Sequence, residues 1–398
     1  MASPSTDPAP RPGVEGPPLG EIAREWGRIG CVGFGGPPAH VALLRKLVVE
    51  DRRWLAASQF EQAIAATNLL PGPASTQLAI YCAWRLRGGR GALAGGLAFI
   101  APGLVAIVGL SALFLAGSPP AWLRGAGLGA GAAVAAVALR AGLTLMAPIW
   151  RRTQPAARAR TLLYALLTGA AAALTGPWLV LVLLGCGLLE LALRGLAGAT
   201  GGGELRLHAW PALLLGAAAM GGIGDLAWTA FKVGALAFGG GFVIVPLMQG
   251  DAVSVYHWMS HSRFLDAVAL GQVTPGPVTQ TVAAVGYAAA GVPGALLAAL
   301  VAFSPSFAFV LLGASHFDRL AANPRMGAFL AGAAPAAAGA ILGSAIPLAG
   351  AISETWQYPL LAAAGVALLG LRWGVVRTLL LAGAAGTVAA LMGAPIPA

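Results

Sequence analysis

Two Pro-Gly-Pro tripeptides, Pro71-Gly72-Pro73 and Pro275-Gly276-Pro277, carry the most specific chemistry in this sequence. Short donor side chains follow each of them, Ser75 and Thr76 after the first, Thr279 and Gln280 after the second. Proline suits the first position of a helix, where a missing N–H costs nothing. The next backbone N–H groups then leave the helix end without intrahelical acceptors, and the helix dipole adds positive potential there. Such an end takes an anion. An amide side chain stands just before each tripeptide, Asn68 in one case and Gln272 in the other. Two such ends meeting inside a membrane would favour an oxyanion over a cation.

Two further features occur twice. Phe34-Gly35-Gly36 and Phe238-Gly239-Gly240 interrupt apolar segments. Breaks of this kind occur where backbone lines a cavity, and equally where small residues let helices pack closely, so both readings stand. Arg28 and Lys232 each precede one of these elements within an apolar run. An ionisable residue at membrane depth is costly and marks function by default, whereas one near the interface simply snorkels. Facing a cavity, these two would complement a dianion, with Glu21 and Asp225 pairing with them or bordering the entrance. Glu61 has no acidic counterpart and is a weaker candidate for proton coupling. Arg140 stands alone in the long segment from Ala121 to Pro148, where it would line a path. His257 and His261 share a helix-like spacing but lack the glutamate of a zinc motif. Of the remaining histidines, His40 alone lies close to a glycine element. Cys31, Cys82 and Cys186 are isolated in apolar settings and show no metal spacing. No nucleophile set, carboxylate cluster or phosphate loop is present, so an enzyme is not expected, and neither is a cofactor or a metal.

These residues need a scaffold, and the composition names its class. Of 398 residues, 58% are hydrophobic and only 10% are charged, with a mean hydropathy of +0.79. Soluble domains carry about a quarter charged residues. Apolar stretches such as Gly91 to Gly117 and Leu162 to Leu189 meet the ~20-residue requirement for a spanning helix. The chain therefore reads as an all-α polytopic membrane protein. Its net charge of +10 belongs to loops facing the cytoplasm and anionic lipid, and no basic run interleaved with aromatics suggests nucleic acid.

The chain also repeats itself. At a constant offset of 204 residues, Glu21 falls on Asp225, Arg28 on Lys232, Phe34-Gly35-Gly36 on Phe238-Gly239-Gly240, Trp54 on Trp258, Asn68 on Gln272 and one Pro-Gly-Pro on the other. After the loss of one residue, Gly91-Ala-Leu pairs with Gly294-Ala-Leu. The division expected is a disordered tail over residues 1–20, a first repeat over 21–203 and a second over 204–398. Loop arginines orient the two. The first repeat is basic at Arg45 to Arg53, at Arg85 to Arg90 and at Arg151 to Arg160, whereas the matching loops of the second are almost without charge. Its positive residues come one crossing later, at Arg319, Arg325, Arg372 and Arg377. Under the positive-inside rule the second repeat is inverted, a common transporter design with the substrate at the midplane. The segments Gln59 to Leu70 and Ala74 to Trp84 are each roughly 16–18 Å of helix, about half the membrane core. A re-entrant hairpin with Pro71-Gly72-Pro73 at its apex follows, and a twin in the second repeat. Length alone predicts about 10 to 13 helices.

Gly33-Phe34-Gly35-Gly36-Pro37, the Arg52-to-Trp54 loop and Asn68-Leu-Leu-Pro71-Gly72-Pro73 resemble the signature of the chromate ion transporter family. Phe238-Gly239-Gly240-Gly241 and Gln272-Val-Thr-Pro275-Gly276-Pro277 resemble its second-half counterpart. The resemblance runs from about Glu21 through nearly the whole chain and is to the long, two-domain type. It implies export of chromate across a bacterial inner membrane, driven by potential or a proton gradient, with sulfate as a structural competitor. One departure is Gly241, which stands where the first repeat has Pro37. The partners expected are chromate or sulfate and membrane lipid, with a homodimer allowed for. A sulfate or other inorganic-anion carrier is the alternative, and an intramembrane enzyme a remote one.

Overall fold

The first helix shows how the apolar pattern is used. In α1 (Leu19–Val32) the residues Ile22, Trp26 and Ile29 recur at helical spacing and form its buried face. The computed structural model describes residues 16–68, 70–115, 117, 119–174, 179–197, 222–237, 242–314 and 323–396. Fourteen α-helices lie among these residues, and no strand. After α1 come α2 (Pro37–Arg45), which runs on as a wide π-helical stretch over Lys46–Asp51, and α3 (Ala57–Thr67). Then follow α4 (Ala74–Phe114), α5 (Ala121–Arg152), α6 (Arg158–Leu174) and α7 (Leu179–Ala197).

The same order recurs in the second half. It contains α8 (Ile223–Leu236), α9 (Ile244–Gln249, continuing as a π stretch over Gly250–Val255) and α10 (His261–Val273). These are followed by α11 (Thr281–Gly313), α12 (Pro324–Gly350), α13 (Gln357–Gly365, with a π stretch to Gly370) and α14 (Val375–Leu391). Helix n of the first half thus has its counterpart at n + 7. The sequence-based range of helices falls short because each short arm at an apex is a helix of its own. The repeat boundary expected near residue 203 lies outside the described residues, and so do the tail residues 1–15. Residues 16 and 17 pack on the α4 turn, where Arg87 donates to the Pro17 carbonyl at 3.0 Å. The expected tail over 1–20 is therefore packed structure at its C-terminal end.

Both long helices reverse direction at one matched place. In α4, Arg87 (φ −145°, ψ 26°) and Gly88 (φ 58°, ψ −148°) leave helical geometry, and in α11 Ala290 (φ −151°, ψ 30°) and Gly291 (φ 62°, ψ −152°) do the same. Positive φ with extended ψ is glycine territory. The arms then lie close together: a Cβ on Gly91 would meet the Ala83 carbonyl oxygen at 2.3 Å, and one on Gly294 the Gly286 carbonyl oxygen at 2.2 Å. The first arm of α4 therefore ends at Leu86, close to the expected Trp84. Together with α3 it makes a pair of arms of roughly 16–20 Å on either side of the first apex. Neither arm reaches the ~30 Å of a membrane core.

The two halves exchange helices. Helix α4 packs on α11, α5 packs against α13 and α14, and α12 packs against α6 and α7. Contacts between the last groups run through small residues: a Cβ on Gly129 would touch the Ala382 carbonyl oxygen at 2.2 Å, and one on Gly343 the Gly169 carbonyl oxygen at 2.0 Å. This is how helices associate in lipid, where apolar side chains gain nothing by leaving one apolar medium for another. Leu97, Val105, Leu166, Leu174, Leu300 and Leu312 stay exposed on the outside, as a lipid-facing surface requires. Helices α4, α5 and α12, and α11 with its leading turn, are long and apolar enough to cross a membrane.

Candidate functional site

Each apex is set by its glycine. Gly72 (φ 121°) and Gly276 (φ 93°) turn the chain back, and Pro73 and Pro277 lead into the following helix. The first backbone hydrogen bond of the first arm is Thr76 N–H to the Pro73 carbonyl at 2.9 Å, and that of the second is Gln280 N–H to the Pro277 carbonyl at 2.9 Å. The N–H groups of Ala74 and Ser75, and of Val278 and Thr279, precede those bonds and stand at the open helix ends. Ser75, Thr76, Thr279 and Gln280 are all buried. The Thr76 and Thr279 hydroxyls and the Gln280 Oε1 find no hydrogen-bond partner in the protein.

Each apex leans on the other half. Gly276 N–H donates to the Gly33 carbonyl at 3.0 Å, and the Gln280 amide donates to the Ile100 carbonyl of α4 at 2.7 Å. A Cβ on Gly103 of α4 would meet the Pro275 carbonyl oxygen at 2.1 Å. In the other direction, a Cβ on Gly72 would come within 3.2 Å of the Gly234 carbonyl oxygen in α8. The Gln77 amide braces the first apex by donating to the Pro71 carbonyl at 2.7 Å.

Between the apices lies a cleft of about 450 Å³. Asn68 and Ala74 border it from the first apex, Gln272, Gly276 and Val278 from the second, and Gly35 and Gly36 from the break before α2. The Gln272 side chain is buried and its Nε2 has no partner in the protein. Helix α5 forms the remaining polar wall with Arg140 and Thr144. Arg140 is the one charged side chain among the described residues lining the cleft, and its guanidinium is steadied by donating to the Trp373 carbonyl. A guanidinium offers five N–H donors in a fixed fork, so the rest of it is available to an oxyanion.

The expected site residues therefore divide. Gly35, Gly36, Asn68, Gln272 and Gly276 line the cleft, while Pro71, Gly72, Pro73, Ser75, Thr76, Pro275, Pro277, Thr279 and Gln280 build the apices around it. Gly239 and Gly240 lie outside the described residues. Arg28 stands apart from this cleft, with an exposed side chain 3.5 Å from Glu25. Lys232 is mostly buried but its ammonium is 2.5 Å from Asp251, which also accepts from Thr229 at 2.8 Å. Neither cation takes the acidic residue expected of it, because seven residues along a helix is about 10 Å. Glu21 instead meets Arg52 at 3.2 Å. Asp225 accepts from Tyr256, whose phenol is pushed up from its ordinary range by burial and by the carboxylates Asp225 and Asp251. Glu61 pairs on the surface with Arg45 at 2.6 Å.

Two features were barely legible beforehand. Arg140 was visible only as a lone cation in an apolar segment. The surroundings of His40 were hidden altogether: its ring is buried, 2.9 Å from the Gly33 carbonyl oxygen and 3.2 Å from the Ser75 hydroxyl.

A helical fold with an apolar outside, two interrupted helix pairs and a polar cleft between them defines a multi-pass membrane protein. The chromate transporter family model matches residues 20–191 and 224–388, one region in each half. The chain belongs to the chromate transporter family. It is 32% identical over 359 residues to the chromate transport protein of Cupriavidus metallidurans, covering 88% of each chain. It is 31% identical over 339 residues to the chromate transport protein of Pseudomonas aeruginosa, covering 82% of this chain and 80% of the relative. A probable chromate transport protein of Synechococcus elongatus is 28% identical over 339 residues, 83% of this chain and 84% of its own. No solved structure gives a significant match.

Proposed function

We propose that this protein carries chromate, the substrate its relatives' names give, that it carries it out of the bacterial cytoplasm across the inner membrane, and that sulfate competes for the same site. The observation that carries the reading is the cleft between two helix ends, with Arg140 as its one charged side chain among the described residues. Chromate is a tetrahedral dianion. In this reading Arg140 and the N–H groups of Ala74, Ser75, Val278 and Thr279 hold its oxygens, and Asn68 and Gln272 supply amide donors. Proline-led helix ends bind anions without a dedicated cation, and the guanidinium adds the charge-assisted bonds. Arg28 and Lys232 act at a distance, Arg28 from the surface and Lys232 through its pair with Asp251. The cleft is built from one chain, so the reading needs no second copy.

The two halves are taken as inverted, on the strength of the loop arginines and the recurring helix order. The cleft follows α5 from Val137 to Pro148, towards Arg151 and Arg152. By the positive-inside rule that is the cytoplasmic end. On the opposite side the amino-terminal part of α5 packs on α10, where a Cβ on Gly131 would meet the Leu265 Cβ at 3.1 Å. The arrangement fits a cytoplasm-facing state of an alternating-access carrier.

The test is transport in proteoliposomes with labelled chromate and labelled sulfate, with and without a membrane potential and a proton gradient. Saturable chromate flux that sulfate inhibits is the expected result. Sulfate flux indifferent to chromate would assign another substrate, and a folded protein with no anion flux would overturn the reading.

A further inference from the structure

The Gly33 carbonyl oxygen receives two donors at once, the Gly276 N–H of the second apex at 3.0 Å and the His40 Nε2 at 2.9 Å. A carbonyl only accepts, so His40 carries its hydrogen on Nε2. In the neutral ring Nδ1 is then an acceptor, and its partner at 3.2 Å is the Ser75 hydroxyl. Ser75 must therefore turn its one hydrogen towards the imidazole. Ser75 is buried in the first turn after the first apex, beside the open N–H groups. The ring is held edge-on to Phe99 at 5.1 Å. A Cβ on residue 33 would stand 2.8 Å from the ring, so only glycine leaves it room.

We propose that His40 is a positioning residue whose protonation state decides whether the Ser75 hydroxyl can donate to an anion at the first apex. This deepens the transport reading above and rests on it. When Nδ1 takes a proton, it becomes a donor to the Ser75 oxygen. The bond between them reverses, and the Ser75 hydrogen is released to turn towards the cleft. The Nε2–H bond to Gly33 is untouched, so the tie between the first half and the second apex persists. The same event places one positive charge beside the helix end. Both changes favour a bound anion, and by linkage a bound anion favours the proton. A dianion then arrives at the site together with a proton.

The other ionisable groups around the site are placed otherwise. Within α2 and the stretch after it, Arg45 pairs with Glu50 and Glu61, and Lys46 and Asp51 border a surface hollow beside Arg28. In α1, Glu21, Glu25 and Arg28 are engaged with Arg52 or with one another, Arg24 lies more than two turns before Gly33, and Cys31 is exposed. The arms of α4 around the ring carry only Tyr81 and Cys82 between Ala74 and Trp84, and nothing ionisable between Gly91 and Phe114. The second apex has none between Ala267 and Gly286, and Asp266, one residue earlier on α10, has a buried carboxylate oxygen against Gly127 and Gly131 of α5. Arg140 faces from across the cleft.

The experiment is calorimetric titration of the purified full chain with selenate, a tetrahedral dianion that keeps its charge through the range, at about pH 4.5 and pH 8, a window that reaches well below an ordinary imidazole because the ring is buried. Two buffers of different ionisation enthalpy report proton uptake directly. The wild type should bind about tenfold more tightly at the lower pH and take up a proton on binding. His40→Gln keeps a donor for Gly33 but cannot titrate, so it should show one affinity at both pH values and no proton uptake. Ser75→Ala keeps the titrating ring and should show a smaller pH dependence than the wild type. A wild-type pH dependence in His40→Gln, or none in the wild type, overturns the inference, and a Ser75→Ala protein identical to wild type overturns the hydroxyl's part in it. If the wild type binds neither selenate nor chromate at any pH, the anion-transport reading itself falls.

Discussion

Gly103→Ala tests whether a helix of the first half props up the apex of the second. The added methyl would stand 2.1 Å from the Pro275 carbonyl oxygen and 2.2 Å from the Gln280 Oε1. Carbon and oxygen need at least ~3 Å, so roughly 1 Å must be found. Gln280 is a side chain, but it is pinned through its amide to Ile100, and Pro275 offers backbone that cannot rotate away. The apex must retreat, which stretches the Gly276–Gly33 hydrogen bond from 3.0 Å to about 4 Å, beyond a real bond. Overpacking costs about 1–3 kcal/mol and the lost hydrogen bond about 1 kcal/mol. Alanine returns up to ~1 kcal/mol of helix propensity. The net is a loss of about 1–3 kcal/mol in a protein that still folds. The larger effect falls on the cleft, because donors to a charged ligand are worth about 1.5–3 kcal/mol each, so one displaced donor costs at least ~10-fold in chromate affinity.

The assay is initial chromate flux in proteoliposomes at several concentrations, with gel filtration in detergent as the check on folding. Gly109→Ala is the control. It lies further along the same arm, where a Cβ meets nothing within 4 Å, and it carries the same propensity gain. At the matching position of the second half α11 has Ser306, buried, so a Cβ is accommodated there. Gly103→Ala with wild-type flux and affinity would refute the propping argument; so would an equal loss in Gly109→Ala.

Arg140→Gln removes the charge in the cleft and should raise the KM for chromate by about 10- to 100-fold at one to two charge-assisted bonds, while Arg140→Lys recovers part of it because a point charge replaces the fork; flux kinetics decide. Lys232→Met leaves Asp251 charged and buried beside Thr229, a loss of about 3 kcal/mol, and adding Asp251→Asn should recover most of the melting temperature in detergent. Glu190 is buried with Arg194 at 2.8 Å, Arg160 at 3.6 Å and the Tyr164 hydroxyl at 3.0 Å, so Glu190→Leu should destabilise by about 2–4 kcal/mol, read as thermal unfolding, without altering the KM. Thr144→Cys, with the exposed Cys31 changed to serine, should react with a membrane-impermeant maleimide from the cytoplasmic side and be protected by chromate.

Much of the scaffold was legible because its determinants are local. The apices follow from Pro-Gly-Pro, and the repeat follows from residues at one offset. The glycines that matched across the halves, Gly91 and Gly294, turn out to sit where two antiparallel arms touch. What the sequence did not disclose is the exchange of α5 and α12 between halves. Their contacts are glycine and alanine against backbone, and in a chain with 57 glycines no single small residue announces its partner.

The charges show the same limit more sharply. An ionisable residue in an apolar run is costly only while it is unpaired, and pairing is a property of the fold. Lys232 meets that cost through Asp251, which lies on the π-helical stretch after α9, a segment without periodic signal. Arg28 meets it through solvent and Glu25. Arg140 has no carboxylate partner among the described residues, only the carbonyl of Trp373 from the other half. A membrane-depth cation held by a neutral acceptor keeps its charge uncompensated, and in the cleft that charge faces two positive helix ends. Three sources of positive potential around one cavity repel each other unless something negative sits among them. On the proposed reading an anion in the cleft relieves that repulsion, and Arg140, which lines the cleft, is better placed to meet it than Arg28 or Lys232.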